Sequence, residues 1–231
     1  MSAVYRILVR MIATRGRLTA ILALGGLVVF VGFAVKASDD GDFDAAADAL
    51  VSAGLSLFVP VTAVVFASAV LGEMTEDGTL VYVWARPLPR STITMAGIGA
   101  SLSVALPCAL LPIGIMALVM DPDLLGGALV AATLSTVAHT ALFVGIGARV
   151  PRALIWALAY VALWEGIVGG VSAGIARTSL QLYSESLLRE ISGASPLEFG
   201  VSQSVAVAVL VGAAIVGAVL TTSILRRMDV P

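Results

Sequence analysis

Six stretches of this chain, 18–35, 50–71, 93–120, 124–148, 154–175 and 204–225, contain a single carboxylate, Glu165, and a single imidazole, His139, between them. A hydrocarbon layer about 30 Å thick takes about 20 residues of helix to cross, so each stretch is a candidate span. Spanning strands would need about ten residues of strict alternation; these runs are longer and unbroken, and are read as helices. Of 231 residues, 59% are hydrophobic and 12% charged, against roughly a quarter charged in soluble domains, which excludes a water-soluble fold. Aromatic residues make up only 6% and glycine fills 23 positions, so the apolar mass is of the small, aliphatic kind that packs helix on helix in lipid. The expectation is an all-α polytopic membrane protein, a single transmembrane domain over 1–231 in the cell membrane. Cys108 is the only cysteine and forms no internal disulfide, and a formal charge of −2 gives no reason to expect a nucleic acid partner.

Basic residues set the sidedness. Arg6, Arg10, Arg15, Arg17, Arg86, Arg90, Arg149, Arg152, Arg226 and Arg227 fall on one side of the six spans, and only Lys36, Arg177 and Arg189 on the other. The positive-inside rule then places both termini in the cytoplasm. Asp39, Asp40, Asp42, Asp44 and Asp48 gather in the first outer loop. An alternative, that 1–37 is a cleavable signal, conflicts with an apolar run longer than the roughly 7 to 15 residues of a signal core. Before the first span, Val4, Ile7, Leu8, Met11 and Ile12 recur at helical spacing opposite Arg6, Arg10 and Arg17, with Arg15 out of register. Residues 2–17 are therefore read as an amphipathic helix in the inner interface.

The connection over 73–90 carries the most distinctive polar sequence. Gly78 permits a turn, Thr79 can cap a short helix, and Pro87 must stop it. On that helix Leu80, Val83 and Trp84 share a face, with Glu73, Glu76 and Arg86 around it. The face is either a knob for a partner's groove or a connection that packs back on its own helices.

This run resembles the coupling helix of ABC-2 type transporter permease subunits, in which a Glu, a Gly-Thr-Leu and a Pro-containing turn ending in Arg recur; here they are Glu73, Glu76, Gly78, Thr79, Leu80, Pro87 and Arg90. The likeness extends over the chain, through an elbow helix, six spans, short inner loops and a long outer segment between spans five and six. The resemblance implies an ABC-2 (type V exporter-like) permease fold. It implies two permease chains, identical or homologous, that form an outward path, and a separate ATPase that binds ATP and Mg and drives them through the coupling helices. A Lys common at the start of the family's third span has no counterpart here, where Ile98 and its neighbours are uncharged. A phosphate loop needs a Gly-Lys-Ser/Thr ending, and the only lysine, Lys36, lies in no such pattern. The chain is thus expected to be a transport subunit with no catalytic, cofactor or metal site of its own. The alternatives are an intramembrane hydrolase built on a serine such as Ser135 with His139, and a non-transporting scaffold.

A charge at mid-membrane costs roughly 2.5 to 3.5 kcal/mol on insertion scales, which singles out Glu165 and His139. Their depths differ by about 5 Å at 1.5 Å per residue. They are read as structural glue, involving Thr136 or Thr140, or as a polar or protonation site on a translocation path; one His and one carboxylate are too few for a closed metal site. Gly166, Gly170 and Gly174 form a stripe for close helix approach, within the subunit or at a dimer seam. Pro107 and Pro112 are expected to bend span three. Asp40, Asp42 and Asp44 open like a calcium loop but lack its later ligands, since Ala45 and Val51 stand where Gly and Glu are needed. In the outer segment 177–203, Leu180, Tyr183, Leu187, Leu188 and Ile191 make an apolar stripe expected on the outer interface, ended by Ser195-Pro196.

The topology is tested by single-cysteine labelling from the outer side in a Cys108→Ser background. Residue 42 should react, and residues 78 and 149 should not; labelling at residue 78 but not at residue 42 overturns the orientation.

Overall fold

The computed structural model describes residues 2–38, 42–78, 89–150, 152–165 and 176–228, the side chains of residues 2, 3 and 165 excepted. Among these the chain is predominantly helical, with no strand. The α-helices are α1 (Ser2–Ile12), α2 (Arg15–Ser38), α3 (Phe43–Ala49), α4 (Val59–Glu76), α5 (Arg90–Met120), α6 (Leu124–Arg149), α7 (Ala153–Tyr160), α8 (Leu180–Ser192) and α9 (Gln203–Arg227), and two stretches, π1 (Leu50–Phe58) and π2 (Val161–Glu165), wind as π-helix. Among the described residues five runs are long and apolar enough to cross a membrane: α2, the continuous run Phe43–Glu76, α5, α6 and α9. Of the fifth expected span, α7 and π2 are described; Gly166, Gly170 and Gly174 lie outside the described residues.

Several boundaries differ from the sequence reading. The expected helix over 2–17 ends at Ile12, and Arg15 and Arg17 already belong to α2. That break explains why Arg15 falls out of register with the face below it. Leu8 and Ile12 are buried while Arg6, Arg10 and Ile7 are exposed, and Tyr5 Oη lies 2.5 Å from Ser103 Oγ on α5. The acidic stretch expected as a loop starts a helix instead: the Asp42 carboxylate accepts the Asp44 N–H at 3.0 Å and caps α3. Carboxylates in a first turn also face the positive end of the helix dipole. The second span thereby joins a helical run of 34 residues, longer than a perpendicular crossing needs.

The π1 winding has a cause in Pro60, in the first turn of α4. Proline has no N–H for the carbonyl four residues back. The Val59 N–H bonds the Gly54 carbonyl, five back, and the wider turn keeps the run continuous. Pro107 and Pro112 remain inside one unbroken α5, where the Pro112 ring sits over Gly25 of α2; a Cβ there would lie 2.6 Å from Pro112 Cγ.

The centre of the molecule is α6, which packs against α4, α5, α7, α8, α9 and π1. Its buried residues are mostly small, among them Ala128, Ala131, Ala132, Ala138, Ala141 and Ala148, with Leu124, His139, Phe143 and Val144 as the larger ones. At three levels only a missing side chain permits the observed spacing. A Cβ on Gly127 would lie 2.6 Å from the Leu188 carbonyl oxygen of α8, one on Gly147 2.6 Å from the Ser68 oxygen of α4, and one on Gly217 of α9 2.6 Å from the Ala141 carbonyl carbon. The approach of α8 also decides where its apolar stripe goes. Leu180, Tyr183, Leu187 and Leu188 are buried in the bundle, and only Ile191 of the stripe reaches the surface, so the expected interfacial helix is a packed one. Ser179 caps its start, and Gly193, at φ 77°, ends it.

At the end of the bundle opposite Arg90 and Arg149, Lys36 of α2 donates from Nζ to the Met120 carbonyl at 2.8 Å, satisfying an acceptor left open where α5 stops.

Gly147→Ala should cost on the order of 1–3 kcal/mol, because the added methyl meets backbone that cannot yield locally. Gly126→Ala, with open space around it, should be neutral or stabilising by up to about 1 kcal/mol. Unfolding of the purified variants in detergent reads both.

Candidate functional site

Two carboxylates near the end of α4 are bound by the starts of other helices. Glu73 forms an ion pair with Arg17, one turn into α2, with a further bond from Arg17 Nη1 to Glu73 Oε2 of 3.3 Å. Glu76 Oε1 accepts the backbone N–H of Arg152 at 2.8 Å, just before α7. Arg152 has φ 54°, a left-handed conformation that costs a non-glycine residue energy and turns the chain sharply between α6 and α7. Arg17, Glu73, Glu76 and Arg152 line a cleft of about 260 Å³. Its side chains are half-buried at the pair, where Arg17 is 24% and Glu73 34% exposed, so the attraction is less screened than on an open surface.

The sequence reading gave Glu73 and Glu76 as charges around an apolar knob. The structure ties Glu73, half-buried, to α2 and Glu76, exposed, to the start of α7. Gly78, at φ 66°, ends the α4 run, and Arg90 opens α5 after Pro89. Thr79, Leu80, Trp84, Arg86 and Pro87 lie outside the described residues. Neither Arg17 nor Arg152 was singled out. The available signal was charge at matched depth: Arg17 near the start of one span and Glu73 near the end of the next share one end of the bundle.

The second polar group is in the middle of the bundle. His139 is fully buried on α6, its Nδ1 is 2.8 Å from the Ser135 carbonyl oxygen, and its ring stacks on Phe143 with centroids 6.3 Å apart. A carbonyl oxygen only accepts, so Nδ1 carries the proton. Ser135 Oγ, 3.3 Å from the same nitrogen, therefore faces a donor rather than a base, which speaks against Ser135 as an activated nucleophile. Phe143 in turn meets Tyr160 of α7 edge to face at 5.6 Å. This contact sets the register of two antiparallel helices. The Glu165 side chain is outside the described residues.

At the opposite end, Arg189 of α8 is a clasp. It is 10% exposed, pairs with Asp48 of α3, and holds Glu185 Oε1 and the Ser195 carbonyl at 3.3 and 3.1 Å. Asp44 accepts the Ser195 N–H at 2.8 Å and its hydroxyl at 2.6 Å. These contacts bind the acidic helix to the segment after α8. Burial pushes the Glu185 carboxyl above its ordinary value, against the pull of the Arg189 guanidinium.

Among the described residues no three His, Cys, Asp or Glu side chains converge in the way a metal site requires. No family model and no curated protein matches the chain.

Glu185 generates a pH prediction. Its folded value lies above its ordinary 4.5, so as pH rises from there the unfolded chain loses this proton first and stability falls. Glu185→Gln should remove that falling component from a plot of unfolding midpoint against pH starting at about pH 4.5; an identical slope in parent and variant rejects the assignment.

Proposed function

We propose that the chain is the membrane-spanning permease subunit of an ABC exporter of the ABC-2 kind, paired with a second permease copy or a homologue and driven by a separate ATPase, with both termini in the cytoplasm. The observation that carries this reading is the junction at the end of α4. The segment 73–90 leaves α4 where Glu73 is held by α2 and Glu76 by the start of α7. A force applied to that segment from outside the bundle is therefore delivered to three helices together, as a coupling element requires. The resemblance of Glu73, Glu76, Gly78, Thr79, Leu80, Pro87 and Arg90 to the family's coupling segment supports the same conclusion. In this division of labour Leu80 and Trp84 dock on the ATPase, while Glu73 and Glu76 transmit its movement. The outward direction follows from the resemblance.

The roles separate experimentally. The permease is co-expressed with its candidate ABC ATPase, and both capture of the ATPase and permease-dependent ATP hydrolysis are measured. Leu80→Ala/Trp84→Ala should lower capture by on the order of tenfold, since buried apolar anchors carry most interface energy. Glu73→Gln should leave capture within about twofold, as expected of a residue outside the interface, yet reduce the stimulated hydrolysis. Undiminished capture by the double truncation, at normal permease levels in the membrane, overturns the docking.

A further inference from the structure

We propose that the groove between α5, α6 and α9 binds one anionic phospholipid, its acyl chain lying along the groove and its phosphate held by Arg226. The groove encloses about 900 Å³, within the roughly 300–1,000 Å³ typical of sites that bury a small molecule. Its length is lined by aliphatic side chains, among them Met95 and Leu102 of α5, Val137 of α6, and Val211 and Ile215 of α9. Polar groups appear at one end, where Ser91, Thr222, Ser223 and Arg226 meet. Since α5 begins at Arg90 and α9 ends at Arg227, this is the arginine-bearing end of the bundle. Both Leu210 and Arg226 line the groove, and between them α9 rises about 24 Å at 1.5 Å per residue. That exceeds the half of an about 30 Å hydrocarbon layer that a chain from one leaflet fills.

Charge selects the headgroup. Arg226 is exposed at the mouth and has no ion-pair partner among the described residues. Thr222 is spent within the protein, its hydroxyl bridging the Ala218 carbonyl at 2.9 Å and Thr94 Oγ1 at 3.1 Å, which leaves Ser91, Ser223 and Arg226 to face a phosphate. Met95 and Ile215 stand 55% and 59% exposed on the walls, a surface that a candidate span presents to lipid tails and not to water. A basic pocket between spanning helices is the arrangement that holds an anionic headgroup. The inference rests on the spans alone and is independent of the permease reading.

The test offers the purified full chain equal amounts of phosphatidylglycerol and phosphatidylcholine with identical acyl chains and counts retained lipid by native mass spectrometry. The parent should keep phosphatidylglycerol in one-to-one complex by roughly fivefold over phosphatidylcholine, the scale of one cation at a membrane surface. Arg226→Gln should equalise the two lipids, and Ala218→Phe, which fills the groove, should lower both. Arg10→Gln, an exposed arginine on α1, should leave the preference unchanged. Equal retention by the parent, a preference that survives Arg226→Gln, or one lost equally in Arg10→Gln overturns the site. Arg226 is exposed, so its variant folds and the first two outcomes stay readable even where Ala218→Phe does not accumulate.

Discussion

The packing of α4, α5, α8 and α9 depends on one helix, α6, which three of them meet backbone to backbone. In lipid no water is gained by burying apolar surface between helices, so association depends on contact area and on how closely two backbones can come. Along α6 the spacing is set by Gly127 against α8, by Gly147 against α4, and by Ala141 against Gly217 of α9. These contacts lie at successive levels, so no neighbour can shift along α6 without meeting a side chain. Alanines supply much of the rest of the buried face, interrupted by His139, Phe143 and Val144. Large side chains fill the space beyond these close approaches, with Phe58, Phe66 and Met116 fully buried, while Phe30, Phe33, Trp156 and Leu220 are exposed.

Charge obeys a complementary rule. Because ionised groups are costly inside a hydrocarbon layer, the described ion pairs lie at the two ends of the bundle, and two of them join elements distant in sequence. Arg17 and Glu73 join α2 to α4, and Arg189 and Asp48 join α8 to α3. Apolar packing thus fixes the interior while a few electrostatic ties fix the ends. The polar group at mid-depth, His139, is held by its own helix through the Ser135 carbonyl and by stacking on Phe143, so it needs no charge to be stable there.

Helical character was legible in the sequence because the apolar runs are long and uninterrupted, a property of local sequence alone. The break between α1 and α2 was legible only as an arginine out of register, and the cap at Asp42 was hidden within a run of acids that reads equally well as a loop. Burial of Leu187 and Leu188 escaped the periodicity argument, since an amphipathic stripe shows that a face is apolar and not whether protein or lipid covers it; the glycine on the opposite helix decided that. Of the candidate site, the segment 73–90 was marked by its own residues. The partners of Glu73 and Glu76 were not, because a pairing between residue 17 and residue 73, or 76 and 152, depends on which helices are neighbours. Local sequence carries no record of that.

The bond from Lys36 to the Met120 carbonyl gives the chain an unusual chemical asymmetry. Lys36 is the only lysine, so apart from the α-amino group it is the single aliphatic amine available to acylating reagents. Its nitrogen is also the donor that closes the end of α5. Acetylation there leaves an N–H but removes the charge and adds bulk, weakening one helix terminus and no other. The extent and rate of amine modification consequently report on a single tie between α2 and α5, with a stoichiometry of one side chain per molecule built into the composition.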